Sequence, residues 1–168
     1  MVKNLKIALA QLNPLVGDVI GNVDKLISVR SNLDDSVDIL VAPELYISGY
    51  PIDDLVLRED FLDLVDKGLE NLAKATKDCK SSIIVGAPRK EKNTIRNSVF
   101  VIENGEISTF RDKYELPNSG VLTNNVYSPL EIYLDQLILK ESELEFQFVK
   151  IFGKKMLLSA WQNREQRL

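Results

Sequence analysis

Residues 39–51 read ILVAPELYISGYP, four apolar residues followed by a segment rich in loop-forming residues. A short apolar run that ends in this way is typical of a strand buried on both faces. Residues 5–12, LKIALAQL, have the same character. Between the two runs lie apolar residues at roughly helical spacing, namely Val23, Leu26, Ile27, Val29 and Leu33. A strand, a helix and a strand in this order predict a parallel βαβ unit.

The following elements extend this α/β pattern. A long helix is expected from Asp60, which can cap it, and its apolar face consists of Phe61, Leu64, Val65, Leu69, Leu72 and Ala73. Residues 83–86, IIVG, predict a third strand. Residues 99–111 predict a hairpin, because the central Asn104-Gly105 pair readily adopts the positive φ values of a tight turn. The predicted fold class is an α/β sheet covered by helices that ends in an antiparallel pair.

The composition fits one core and argues against a nucleic-acid partner. The chain has 168 residues, 45% of them hydrophobic, so it is one domain or part of a larger one. It carries 21 basic and 25 acidic residues, a net charge of -4. No dense run of lysine and arginine is present that could neutralise a phosphate backbone.

The apolar N-terminal stretch is too short to span a membrane, because Gln11, Asn13 and Pro14 interrupt it. We interpret it as a strand, with a cleaved signal as the alternative. The single cysteine, Cys79, excludes an internal disulfide, and the absence of histidine removes the commonest transition-metal ligand. We therefore expect a cytoplasmic protein without a metal, a cofactor or a membrane contact.

Two charged residues stand where α/β proteins place reactive groups. Glu44 directly follows a predicted strand and opens a loop, so its carboxylate is a candidate general base. The plain alternative is a solvated carboxylate or a helix cap. Lys113 follows the last hairpin strand, and its plain alternative is a surface charge. Taken singly, the two residues leave these alternatives open.

Five segments, in order, resemble the nitrilase or carbon–nitrogen hydrolase superfamily. They are KIALAQLNP at 6–14, APELYISGYPIDDL at 42–55, VGAPR at 85–89, RNS at 96–98 and KYELPN at 113–118. The segment at 42–55 resembles the catalytic glutamate motif of one branch, the glutaminase domain of glutamine-dependent NAD synthetases. The resemblance covers residues 3–121 without a large gap. It implies a partial carbon–nitrogen hydrolase domain over residues 1–121, an incomplete nitrilase-like α-β-β-α sandwich.

The resemblance also implies a catalytic chemistry. The superfamily uses a Glu-Lys-Cys triad, in which Glu44 would be the general base and Lys113 the cation that stabilises the oxyanion. Glutamine, or another small amide, is the implied ligand. Tyr50 matches a position that lines the glutamine pocket, and Ser119 stands where this branch usually has a tyrosine. A homo-oligomer or a synthetase subunit is the implied protein partner.

The nucleophilic cysteine of the triad is missing from the matching place. In relatives it lies on a strand downstream of the lysine, in a Cys-Glu-Asp signature. Cys79 precedes Lys113 and follows a predicted helix, so its place in the chain order is wrong for the nucleophile. We interpret Cys79 as a helix-end residue without a catalytic role. The chain is therefore expected to be inactive as an amidase.

The tail, residues 122–168, lacks a sustained helical or strand period. We hypothesise that it is out of frame, because one nucleotide was lost near the codons for Val121 and Leu122. In the alternative frame, codons compatible with residues 146–153 can yield IPICEDIW, with the missing cysteine split across Phe148 and Val149. A tail of this origin was never selected to pack, so we expect exposed sheet edges and marginal stability.

Three functions remain open from the sequence. The first is a glutaminase by descent that supplied ammonia for NAD synthesis. The second is a non-catalytic module that binds glutamine or a synthetase subunit without turnover. The third is an unrelated doubly wound nucleotide-binding domain, which is disfavoured because no glycine-rich phosphate loop follows any strand.

Overall fold

The computed structural model describes residues 3–92, 94–113, 144–152 and 155–159. In chain order the elements are β1 (Lys3–Gln11), α1 (Val19–Ser31), β2 (Ile39–Val41), a 3-10 helix (Asp53–Leu57), α2 (Glu59–Ala75), β3 (Ser82–Glu91), β4 (Thr94–Glu103), β5 (Glu106–Asp112), β6 (Leu144–Phe152) and β7 (Lys155–Ser159). The strands form a single sheet in the order β5-β4-β3-β2-β1-β6-β7. The α/β class predicted from the sequence is confirmed.

The βαβ unit predicted at the N-terminus is present. β1 and β2 pair in parallel, with Ile7 beside Ile39 and Leu9 beside Val41, and α1 connects them. α1 begins at Val19, because the Asp18 carboxylate caps it by accepting a hydrogen bond from the Gly21 N–H at 3.0 Å. The helix therefore starts one turn before the position that the apolar periodicity predicts.

The central strands of the sheet are buried on both faces. On one face, α1 and α2 pack against the strands around the fully buried Ala8, Leu40 and Ile83. On the other face, Ile7 and Ile84 form part of a second apolar cluster. Because neighbouring residues of a strand point to opposite faces, burial of both Ile7 and Ala8 confirms that β1 lies between layers.

The structure contains a second hairpin that the sequence did not predict. The Asn104-Gly105 turn joins β4 and β5 as expected, with φ values of 53° and 84°. β3, however, continues beyond residue 86 to Glu91 and pairs antiparallel with β4 from Ile83–Ile102 to Glu91–Thr94. The connecting turn contains Lys92 at a φ of 52° and no glycine, so the usual hairpin signal is absent.

The expected cap of the long helix was wrong. α2 begins at Glu59, and its N-cap, Arg58, makes no side-chain capping bond. Asp60 lies inside the first turn and pairs with the Arg58 guanidinium, with Nη2 and Oδ2 2.7 Å apart. A carboxylate in the first turn still favours the helix, because it lies near the partial positive charge of the helix N-terminus.

Two strands of the tail extend the sheet. β6 pairs in parallel with β1 from Lys3–Leu144 to Gln11–Phe152, and β7 pairs antiparallel with β6. β6 therefore covers the edge that β1 would otherwise present, whereas the exposed edges and the marginal stability expected of the tail stay predictions. Residues 114–143 lie outside the described residues, and the proposed boundary at residue 121 remains a prediction. No helix in the described part of the chain is both long and apolar enough to cross a membrane.

Candidate active site

Glu44 lies in a tight connection that follows β2. The Ala42 N–H still bonds to the Ile84 carbonyl of β3 at 2.8 Å, after which the chain leaves the sheet. Gly86 of β3 lies against this connection so closely that a Cβ atom there would be 2.8 Å from Glu44 Cα. Leu45 has a φ of 50°, which turns the chain immediately after Glu44. The backbone therefore fixes where the Glu44 side chain begins.

Lys113 directly follows β5 and meets Glu44 across the sheet. Its Nζ lies 2.8 Å from Glu44 Oε1, although the two residues are 69 positions apart. The Lys113 side chain is 11% exposed and the Glu44 side chain 47% exposed, so the ammonium is the more buried partner. The structure thus brings together the two charged residues that the sequence selected as a base and an oxyanion-stabilising cation.

Asn97 of β4 contacts both members of this pair. Its side-chain Nδ2 donates to Glu44 Oε1 at 2.5 Å, and its backbone carbonyl accepts the Lys113 N–H at 2.7 Å. Asn97 is 4% exposed. In the sequence, Asn97 belongs to the RNS segment of the resemblance, but no role was predicted for it. The signal available was an amide side chain in a segment shared with the superfamily.

A second polar cluster fixes the end of β5 beside Lys113. Arg89 of β3 forms two hydrogen bonds to Asp112, Nη2–Oδ2 at 2.6 Å and Nε–Oδ1 at 3.1 Å. Ser98 of β4 donates to Asp112 Oδ1 at 2.6 Å. Burial raises the pKa of Asp112, but the hydrogen bonds from Arg89 and Ser98 outweigh it, so this pKa lies below its usual value. The Arg89 guanidinium also lies 4.3 Å from the ring centre of Phe110.

Of the two residues predicted to bind the substrate, the structure describes Tyr50 but not Ser119. Tyr50 lies on the loop that follows Glu44, and its side chain is exposed. This loop packs against the segment before α1, where the Gly17 N–H donates to the Ser48 carbonyl at 2.9 Å, and against α1 itself, where Asn22 Nδ2 donates to the Ile47 carbonyl at 3.2 Å. Ser119 lies outside the described residues, so its assignment stays a prediction.

Cys79 lies at the opposite end of the sheet from the charged pair. It follows α2, where its N–H bonds to the Thr76 carbonyl at 3.0 Å, and it precedes β3. Because β2 and β3 run in parallel, with Ile39 beside Ser82, the start of β3 is remote from the end of β2 that leads to Glu44. Cys79 is a half-buried free thiol and does not approach Glu44.

No cluster of three or more metal-ligating side chains occurs within residues 5–92 and 94–113, whose side chains are the ones described. A cavity of about 690 Å³ lies between α2 and β5. Its lining includes Asp66, Arg89 and Phe110 but neither Glu44 nor Lys113. The candidate site is therefore defined by the charged pair and its hydrogen bonds rather than by this cavity.

The family model for carbon–nitrogen hydrolases matches residues 6–151. The chain belongs to the carbon–nitrogen hydrolase family. Among curated proteins, it is 38% identical over 127 residues to a glutamine-dependent NAD(+) synthetase of Thermotoga maritima, and 36% identical over 123 residues to one of Aquifex aeolicus. These matches cover 75% and 73% of this chain. The chain spans only 22% of the length of either relative.

Solved structures support the same fold. A glutamine-dependent NAD(+) synthetase from Cytophaga hutchinsonii superimposes with a TM-score of 0.62 and 28% identity, covering 68% of this chain and 20% of that one. An amidase from Nesterenkonia has a TM-score of 0.58 at 19% identity, covering 73% of this chain and 47% of that one. At that identity the amidase supports only the shared fold. The predicted nitrilase-like fold is confirmed for this member of the carbon–nitrogen hydrolase family.

Proposed function

We propose that this chain derives from the glutaminase portion of a glutamine-dependent NAD synthetase, and that it can hold a small amide beside Glu44 and Lys113 without hydrolysing it. The observation that carries the proposal is the ion pair between these residues, 2.8 Å across, at the ends of two strands of one sheet. The likeness to NAD(+) synthetases over most of this chain supports glutamine as the amide.

The pair supplies two of the three functions that amide hydrolysis through a thioester needs. A carboxylate at Glu44 takes the proton from an attacking thiol and returns it to the departing ammonia. An ammonium at Lys113 offsets the negative charge that develops on the carbonyl oxygen. The third function, a sulfur nucleophile, has no candidate beside the pair, since the only cysteine of the sequence is Cys79. We therefore propose that this chain does not turn over.

The alternative reading frame remains our proposal for how the nucleophile was lost. In that frame the cysteine falls at the codons for Phe148 and Val149, which lie in β6. Their partners in the parallel strand β1 are Ile7 and Ala8. Through β1 these two positions lie level with Ile39 and Leu40, so β6 runs in the same direction as β2, but this register places them at the start of β2 rather than at the end that leads to Glu44. Because the family model matches as far as residue 151, the boundary at residue 121 requires an independent test by sequencing the gene.

The proposed function is tested by separating binding from turnover in the purified chain. We expect calorimetry to detect glutamine binding and a coupled ammonia assay to detect no release. Lys113→Met should weaken binding at least about tenfold, since it removes a buried charge next to the amide. Lys74→Met is the matched control, because Lys74 forms only an exposed pair with Glu70.

Two results would overturn parts of this proposal. Ammonia release that disappears in Glu44→Gln would show that the chain is an active amidase. Equal glutamine affinity in the native chain, Lys113→Met and Lys74→Met would show that the charged pair does not contribute to glutamine binding.

A further inference from the structure

We propose that Asn97 is a positioning residue that sets the Glu44 carboxylate against the Lys113 ammonium. The proposal rests on the proposed roles of Glu44 and Lys113 and adds a residue that organises them. Asn97 belongs to β4, between the strand that leads to Lys113 and the strand whose Gly86 contacts the Glu44 backbone. It is therefore placed to act on both charged residues from one rigid position.

The contacts of Asn97 converge on a single oxygen atom. Glu44 Oε1 accepts from Asn97 Nδ2 at 2.5 Å and from Lys113 Nζ at 2.8 Å. The carbonyl of Asn97 accepts the Lys113 N–H at 2.7 Å, which fixes where the lysine side chain starts. One residue thus holds the carboxylate directly and the lysine through its backbone.

The chemistry of the amide explains why an asparagine occupies this place. An ionised carboxylate only accepts hydrogen bonds, so its neighbour must present a donor, and the amide can present N–H on one side only. The opposite end of the amide, Asn97 Oδ1, is buried and has no hydrogen-bond partner among the described residues. A buried acceptor without a partner costs free energy. Packing alone does not explain why an asparagine with this unpaired oxygen is kept here. The hydrogen bond that it donates to Glu44 does explain it.

The exposure of Glu44 explains why the pair needs such a residue. The Glu44 side chain is 47% exposed, and an exposed carboxylate on a flexible side chain gains little from one ion pair. A donor fixed on a buried strand restricts the rotamers of Glu44 and keeps its oxygen facing Lys113. Without Asn97, Glu44 turns toward solvent more often, and Lys113 loses its partner for part of the time.

The test measures how fast the Lys113 amine reacts with an acylating reagent, by mass spectrometry of peptides from the labelled intact protein. In Asn97→Leu, which keeps the size but removes the donor, we expect Lys113 to react roughly three- to tenfold faster. Lys74 and Lys90, which pair with Glu70 and Glu59, are internal references and should not change. Thr94→Val, at the start of β4, is the matched control variant, because the Thr94 hydroxyl donates to the Glu91 carbonyl and not to the charged pair.

A double-mutant cycle with Glu44→Gln decides whether Asn97 acts through the carboxylate. Glu44→Gln alone should expose the lysine, and adding Asn97→Leu should then have no further effect. Equal and additive increases in both backgrounds would overturn the proposal, as would an unchanged rate in Asn97→Leu. A general loosening of the fold would instead speed the reference lysines as well, which also counts against it.

Should Asn97→Leu not fold, nuclear magnetic resonance of the native chain and Glu44→Gln gives an independent answer. The side-chain amide protons of Asn97 are expected to move when the carboxylate charge is removed, while those of Asn22 stay in place. Identical Asn97 signals in both proteins would overturn the proposal. Neither measurement uses glutamine, so a failed glutamine-binding experiment leaves this inference to be judged separately.

Discussion

Asp112 combines burial with two strong donors, and this combination determines how its carboxylate responds to pH. The side chain is 28% exposed, and the Arg89 guanidinium contacts both of its oxygens. Forked guanidinium–carboxylate contacts are stronger and more directional than those of an ammonium. Because Asp112 immediately precedes Lys113, the same contacts that set its protonation also fix the strand end that carries the candidate oxyanion-stabilising residue.

We predict that Asp112 makes the stability of the chain fall at acidic pH. Its pKa is lowered from 3.8 in the folded chain, so the unfolded chain takes up the proton first. The contribution is fully present above about pH 4 and is lost as the pH falls through the lower folded-state pKa. Urea unfolding of the native chain and Asp112→Asn between pH 7 and pH 3 should show a smaller acid-dependent loss in the variant.

Asp66 is a control for this prediction, because its pKa is shifted in the opposite direction. Partial desolvation of its carboxylate, followed by the negative charges of Asp63 and Glu70, raises the pKa of Asp66, although the residue is exposed, so its effect on stability is expected to be small. Its protonation therefore favours the folded chain as the pH falls, and Asp66→Asn should steepen the acid-dependent loss rather than reduce it. Parallel pH profiles for the native chain and Asp112→Asn would refute the prediction for Asp112.

Among the secondary-structure elements, the sequence located those that local chemistry alone determines. Asn104-Gly105 supplies two positive φ values, so the β4–β5 turn could be located without knowing its surroundings. The β3–β4 turn could not be located, because Lys92 adopts a positive φ without a glycine and is held there by the long pairing on either side. Here the sheet overrides the local preference.

The same distinction applies to the candidate site. Glu44 and Lys113 were found because they match superfamily segments and follow strands. The hydrogen bond from Asn97 to Glu44 depends on the register of β4 against β3 and β5, which places Asn97 opposite Pro88 and Ser98 opposite Asp112. No spacing pattern along the chain predicts that register. The role of Asn97 could therefore be recognised only from the folded sheet.

Close packing between β3 and the Glu44 connection predicts the effect of Gly86→Ala. The added Cβ would lie 2.5 Å from Leu45 N and 2.8 Å from Glu44 Cα, both backbone atoms that cannot rotate away. We expect a loss of about 1–3 kcal/mol in unfolding free energy, the usual cost of overpacking. We also expect faster acylation of Lys113, because Glu44 is pushed from its partner.

Gly17→Ala separates these two effects. Gly17 has a φ of 80°, but a Cβ there would meet only Leu55 Cδ1 at 3.5 Å. This variant should lose stability through backbone strain while Lys113 keeps its native acylation rate. If Gly86→Ala leaves the Lys113 rate unchanged as well, the close approach of β3 does not position Glu44.

In the molecule as a whole, β1 joins the two halves of the sheet. It pairs with β2 on one side and with β6 on the other, and its central residues Ile7 and Ala8 are buried on opposite faces. An uncovered strand of this kind presents unpaired backbone groups and apolar side chains, which favours association between chains. The tail therefore has a structural role in this fold, whatever the origin of its sequence.

This arrangement leads to a prediction about the tail. A chain that ends at residue 121 lacks β6, so β1 becomes an edge, and we expect it to aggregate at concentrations where the full chain does not, as measured by sedimentation velocity. Of the strands described, a chain that ends at residue 154 lacks β7 alone, and it should resemble the full chain, because β6 still covers β1. If the chain ending at 121 stays monomeric and melts at the same temperature as the full chain, β6 contributes nothing to the sheet. Either result concerns only the packing of β6 on β1, and the origin of the tail is decided separately by sequencing the gene.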